Sequence, residues 1–331
     1  MISRQIRELG GIVMNSTDMT RRGQGMWLVL VGVASVVLSI LGMAVNGQLQ
    51  EGVISAQIGS VLADAAIPGV LALSQYMLLR AGRIEPATIG VAGLSAAIIG
   101  INSDQGNGKL LVGVLIACLA ALPFAFLSGF LALKAGLGYA LVSAVAVLFG
   151  ADKLISVVVS QAVNSYAPWM RALGSGGVLP GVFIFATAVF AAVAVGGPLQ
   201  ECNLRELDTG WLRGTLVLYV PAFLVAVFAG LLQTARIQAA TPYGLGSGFI
   251  AVGILAVTAG GCSLAAHEAD LLDIAIGALF AGAFTTYLYE RNVDVSHFTM
   301  WVAMAAVAFI LLDYLRLRRT TINQDDPIPE P

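Results

Sequence analysis

The chain has 331 residues, 58% of them hydrophobic and only 11% charged, with 38 glycines and a formal net charge of −2. A soluble domain carries roughly 25% charged residues, so a soluble globular fold is excluded. The small net charge also excludes nucleic acid or any other strongly charged partner as the main target.

Apolar runs of about 20 residues recur to the end of the chain, the mark of an all-α, polytopic protein held in membrane lipid. Residues 1–25 are polar and carry Arg4, Arg7, Arg21 and Arg22. No small-residue cleavage site follows the first apolar run, which therefore reads as a retained helix behind a cytoplasmic segment. Ten spans are predicted, at 26–45, 61–80, 87–102, 110–134, 138–159, 177–196, 212–235, 246–264, 270–289 and 298–316, within a membrane domain of 26–319. The third is too short to cross a core of about 30 Å as a regular helix, so a half-helix or re-entrant segment is expected there. The tail 320–331, TTINQDDPIPEP, is polar and proline-containing and reads as disordered.

With the N-terminus inside, twelve of the 17 Lys and Arg fall on the cytoplasmic side. Lys109, Lys153, Arg171, Arg236 and Arg291 fall outside. The bias predicts that both termini are cytoplasmic.

One stretch organises the chain, Ile67 to Gly93, IPGVLALSQYMLLRAGRIEPATIGVAG. An apolar helix is interrupted by Arg80, Arg83, Glu85 and Pro86 and then resumes as a short apolar run. Pro86 lacks an N–H and disfavours a helical residue before it, so the helix should break there. The pattern returns 153 residues later, where Pro68 falls on Pro221, Leu78 and Leu79 on Leu231 and Leu232, Arg83 and Ile84 on Arg236 and Ile237, and Ala87 and Thr88 on Ala240 and Thr241. Five spans separate the copies, an odd number, so a direct sequence repeat would insert as an inverted structural repeat. Interrupted segments at matching places in two halves point to a transport pathway. Small residues at Gly277, Ala278, Ala281 and Gly282, and at Gly90, Gly93 and Ala97, suit close helix packing.

Catalytic or metal chemistry finds no footing in the residue pattern. His267 and His297 lie at predicted turns, and HEAD lacks the second histidine of an HExxH site. Cys118, Cys202 and Cys262 show no metal-ligand spacing, and no GxxxxGK[ST] phosphate loop occurs, so neither an enzyme nor a cofactor is expected. Among carboxylates, Asp64 enters the second span, Asp152 lies beside Lys153 in the fifth, and Glu85 accompanies the break. An intramembrane carboxylate is a functional candidate because its burial costs at least a few kcal/mol.

Over about residues 55–319 the chain resembles the permease subunit of ribose-type ABC importers, in the superfamily that also holds branched-chain amino-acid permeases. The family's second helix runs into a break written approximately G-G-I-D-L-S-V-G; here Gly82, Thr88 and Gly90 follow that layout, with Pro86 at the aspartate and Glu85 one residue out of register. Near the C-terminus, Gly260, Gly261, Ser263 and Leu264 match the family's G-G-x-S-L, while Ala265, Ala266, His267 and Glu268 replace its following glycines. The resemblance implies an inner-membrane subunit of a bacterial importer that translocates a small polar solute, a monosaccharide in the first instance. It implies as partners ABC ATP-binding subunits, a second permease copy or homologue, and a periplasmic solute-binding protein. Together with the helix break, it places Asp64, Glu85, Pro86, Thr88, Gly90, Gly93, Thr241, Gly260, Gly261 and Ser263 along the translocation pathway. It assigns ATPase docking to the internal loop carrying Leu199, Leu204, Arg205, Glu206 and Leu207. That loop lacks the family's A-x-G-x-N motif, so a degenerate permease dependent on a second, different one is an alternative. A proton-driven secondary transporter working through Asp64 or Glu85 is another, since an inverted repeat suits it equally.

Overall fold

The computed structural model describes residues 27, 29–41, 51–80, 85–135, 137–159, 162–164, 167–196, 210–240, 246–261 and 271–325. Ten of its helices fall on the ten predicted runs. They are α1 (Val29–Leu41), α2 (Glu51–Arg80), α3 (Ala87–Asn102), α4 (Asn107–Phe130), α5 (Leu137–Val158), α7 (Leu179–Gly196), α8 (Trp211–Ile237), α9 (Gly246–Ala259), α10 (Leu271–Glu290) and α11 (Val295–Asp325). A short helix, α6 (Pro168–Leu173), lies in the connector before α7. The one pair of strands among the described residues is β1 (Val163–Asn164) against β2 (Ala239–Ala240), antiparallel.

Among the described residues, five stretches are long and apolar enough to cross a membrane: Ile58–Tyr76 in α2, Asn107–Lys134, Trp211–Ile237, Leu271–Glu290, and His297–Leu315 in α11. The chain is thus built as an all-α membrane protein. Helix α2 begins at Glu51, ahead of the expected residue 61, and α11 continues through Asp325, into the polar stretch read as a tail.

On α4, side-chain size and not polarity sorts the two faces. On α4 the buried side is Leu110, Gly113, Ala117, Ala121, Ala125 and Ser128, while Leu111, Leu115, Leu119, Val112 and Ile116 point outward. In water such an outward stripe would be an aggregation patch; in lipid it carries no penalty, and small inward residues let backbones approach. In α2, 72% of the apolar window is buried, against 28% in α4 and 17% in α11, so α2 is central and α4 and α11 peripheral.

The break after Arg80 positions everything else. Chain direction reverses at Pro86, which caps α3 with φ −58° and needs no N–H at that place. Helix α3 then leaves α2 and runs beside α8. A Cβ on Gly230 would come 2.3 Å from the Ala92 carbonyl oxygen, and Thr234 donates to the Ala96 carbonyl at 2.9 Å. Helix α9, which follows the end of α8, runs instead beside α2, with Gly253 against Leu71. Each short helix therefore packs on a long helix other than the one it follows. Helices α4 and α5 flank α3, and α10 and α11 flank α9.

A π-helical turn, Leu131–Ala135, continues the end of α4, and another, Thr215–Tyr219, lies within α8. The two turns face each other, with Gly129 under Thr215, Gly214 under Leu133, and the Phe130 and Trp211 rings edge to face at 5.3 Å. Single π turns often mark functional segments of helices.

Candidate functional site

The site at the first break is built around Gln75, a polar residue within the apolar run of α2. Its amide Nε2 donates to the Glu85 carbonyl at 3.0 Å, and the Glu85 N–H donates to its Oε1 at 3.3 Å. Gln75 thus supplies, from a side chain, the two bonds a neighbouring strand would give. Nε2 also donates to the Thr88 hydroxyl, which donates to the Glu85 carbonyl at 3.0 Å. Irregular backbone at membrane depth needs such partners because lipid offers none. Gln75, Glu85 and Thr88 are all buried, at 6%, 1% and 0% exposure.

The Glu85 carboxyl turns away from this staple. Oε1 takes the Ala87 N–H at 3.3 Å, at the N-terminus of α3, where the helix dipole favours negative charge. The buried Ser128 hydroxyl of α4 faces the same carboxyl without closing a well-formed hydrogen bond.

A second polar site lies near the middle of α2, eleven residues and about 16 Å back along its axis from Gln75. Asp64 Oδ1 receives Arg236 Nη2 at 3.0 Å and Oδ2 receives the Thr286 hydroxyl at 2.9 Å. The Asp64 side chain is 16% exposed and that of Arg236 34%. Three helices, α2, α8 and α10, meet in this one carboxylate. Close backbone contact makes the meeting feasible, since a Cβ on Gly282 would lie 2.7 Å from the Val61 carbonyl oxygen.

Gly260 and Gly261 sit elsewhere, at the crossing of α9 and α10. A Cβ on Gly260 would come 2.1 Å from the Asp273 carbonyl oxygen, and one on Gly277 2.0 Å from that of Ala256. Gly261 turns the chain with φ +78°, a conformation glycine adopts without steric cost. Trp27 covers the turn, its indole N–H donating to the Ala259 carbonyl at 3.0 Å. These two glycines therefore have a packing role visible in the structure.

Pro86 and Thr88 belong to the first break, and Gly90 and Gly93 are buried on α3 just beyond it. Thr241 and Ser263, and the docking residues Leu199, Leu204, Arg205, Glu206 and Leu207, lie outside the described residues, as does the side chain of Asp152. Sequence reasoning missed Gln75, Ser128, Arg236 and Thr286 as site residues. A lone amide inside an apolar run was the available signal for Gln75; Arg236 was read as a loop cation. His297 is exposed beside Asp294 at 3.9 Å. No group of three or more metal-ligating side chains occurs among the described residues.

The five basic residues assigned outside share one end of the bundle, though they come from five separate segments. Arg236 pairs with Asp64, Arg291 follows Thr286 on α10, and the α6 segment carrying Arg171 ends on the last turn of α8. Lys109 opens α4 beside the last turn of α3, and Lys153 precedes Ile155, which packs with Ala240. Lys134 and Arg213 flank the paired π turns, near Glu85 at the other end.

Comparison with known proteins gives no match to any family model, curated protein or solved structure.

Proposed function

We propose that this chain is a membrane permease that passes a small polar solute between its two broken-helix units, working as the membrane subunit of an ABC importer. The observation that carries the transport reading is the exchange of partners at the bundle centre. Helix α3 lies on α8 and α9 lies on α2, so two interrupted segments cross where Leu71, Ile89, Ala92 and Ala229 meet. Discontinuous helices that meet near mid-membrane, each related to the other by an inverted repeat, form the usual frame of a solute pathway. In this reading all ten predicted runs lie in the membrane, both termini are cytoplasmic, and the Asp64 end faces outward.

The ATP-driven part rests on the sequence resemblance. The importer subunit takes a monosaccharide from a solute-binding protein, pairs with a second permease, and docks ATPase subunits through the loop of Leu199 to Leu207. The side chains at the crossing are small or neutral, Ser95 among them, which suits an uncharged solute.

A second reading, proton-coupled transport by the chain alone, is favoured by the buried Glu85 carboxyl and the half-buried Asp64 carboxyl. Reconstitution separates the two. In liposomes with its co-purifying ATPase, uptake should require ATP and survive collapse of the proton gradient. Uptake by the chain alone that follows the proton gradient would establish the second reading instead.

A further inference from the structure

The pathway reading leaves unused a belt of bonds around the end of α8. Arg236 is held by Asp64 of α2, whose second oxygen is held by Thr286 of α10. Two residues later Gln238 takes φ 57°, a left-handed conformation uncommon for a residue with a side chain. Ala239 and Ala240 then pair with Asn164 and Val163 of the connector between α5 and α7. Ala240 also rests on α3, where a Cβ on Gly100 would come 2.5 Å from its own Cβ. The same connector crosses the last turn of α8 at Gly174, where a Cβ would lie 1.9 Å from the Ala235 carbonyl oxygen. Its start is tied down too, by the Ala167 N–H on the Ser103 carbonyl at 3.1 Å and the Trp169 N–H on Asn107 Oδ1 at 3.2 Å.

We infer that Arg236–Ala240 is the gate at the Asp64 end of the pathway, closed in this structure, with Asp64–Arg236 as its latch and β1 as its strap. Three features fit a gate better than a fixed brace. The segment is where α8 ends and Gln238 takes its left-handed conformation, so Ala239 and Ala240 lie outside the hydrogen-bond ladder of a helix. Its ties run to α2 and α3, the first broken unit, while the segment itself ends α8 of the second, so parting the units must break them. The latch is also partly wet. A fully buried ion pair is held by the large penalty of separating it, and an apolar pair would serve a permanent contact as well or better. A pair whose arginine is about one third exposed can be rehydrated on opening and reformed on closing.

The inference rests on the pathway reading for its purpose, but its test does not require transport. Ser95, 2% exposed at the crossing of α3 and α8, is the reporter. Ser95→Cys is introduced into a chain lacking its native cysteines, and labelling by a membrane-impermeant thiol reagent is timed from the Asp64 side of proteoliposomes. A closed two-state gate leaves its open form populated at roughly 0.1–10%, so Asp64→Asn or Arg236→Gln should raise the labelling rate by about tenfold or more. The exchange Asp64→Arg with Arg236→Asp should return it toward the parent rate. A disulfide between Asn164→Cys and Ala239→Cys, register partners in the strand pair, should suppress labelling in the Asp64→Asn background until it is reduced.

Labelling within about twofold of the parent in both single variants, with each still monodisperse, would overturn the gate. If a single variant fails to fold, the disulfide in the parent chain decides the same point through uptake. Full ATP-driven uptake with the strap locked would remove the gate and leave the transport reading intact. The expected labelling pattern with no ATP-driven uptake would do the reverse.

Discussion

Replacing Gln75 by leucine tests the staple at the first break most directly. Leucine keeps roughly the volume and helix propensity of glutamine, so α2 itself should be unaffected. The change removes three bonds. The Glu85 carbonyl keeps its Thr88 N–H and hydroxyl partners, at 3.2 and 3.0 Å, and the Thr88 hydroxyl keeps its acceptor. The Glu85 N–H keeps no partner among the bonds described, and it is buried. A buried group left unsatisfied costs about 1–3 kcal/mol, whereas a side-chain hydrogen bond between membrane helices averages only about 0.6 kcal/mol. The orphaned backbone donor therefore dominates, and Gln75→Leu should destabilise by about 2–4 kcal/mol in all. Thr88→Val removes one donor from a carbonyl that retains two others, so its cost should be about 1 kcal/mol. In detergent, melting followed by fluorescence-detected size exclusion should fall by several degrees for Gln75→Leu, at roughly 2–4 °C per kcal/mol, and clearly less for Thr88→Val. A Gln75→Leu protein melting with the parent, or a reversed order of the two variants, would refute the staple.

Other outcomes follow from the same contacts. Gly230→Ala and Gly277→Ala place a methyl within 2.3 and 2.0 Å of backbone oxygens that cannot rotate away, and each should lower the melting temperature. The overpacking cost is about 1–3 kcal/mol, while Gly59→Ala, which meets nothing within 4 Å, should be neutral or slightly stabilising in the same assay. Ser175→Cys should label from the outer side of oriented membranes and Lys134→Cys only from the inner side; labelling of both from one side would refute the assigned topology. If the loop docks an ATPase as proposed, Leu204→Asp should weaken that association by up to several kcal/mol while leaving the membrane domain folded, and Glu206→Ala by about 1 kcal/mol or less, because buried apolar anchors outweigh rim charges. Wild-type recovery of ATPase with Leu204→Asp would leave that loop a plain connector.

Helix positions were legible because lipid makes one demand of each run, an apolar length, and that demand is written locally in the sequence. The first break was legible for a similar reason: Pro86 acts on its own neighbours. What Gln75 does was not, since an amide in an apolar run has no local partner and acquires one only when the chain folds back ten residues later. Arg236 and Asp64 are 172 positions apart, and nothing local distinguishes an arginine ending a span in solvent from one turned onto a second helix. Glycines split along the same line. Gly277 and Gly282 had recognisable packing spacing, but that Gly230 lies on Ala92 depends on α3 exchanging partners after the break, a tertiary choice. The two facing π turns gave no sequence signal, because each depends on the other helix for its packing.

The two ends of the bundle solve one problem by unlike means, and the difference bears on which end moves. At each, a long helix stops and leaves backbone groups to be satisfied. At the Glu85 end the solution is a neutral amide, Gln75, bonded to backbone on both sides and 6% exposed. Water cannot replace those bonds without entering the core, so opening there exposes bare donors and acceptors. At the Asp64 end the solution is a partly hydrated ion pair and two strand residues from a connector. Each of those contacts has an aqueous substitute close by, and charged partners lose little when water takes over. Under the proposed gating, the buried neutral staple of Gln75 would resist opening, whereas the partly hydrated Asp64–Arg236 pair would release first.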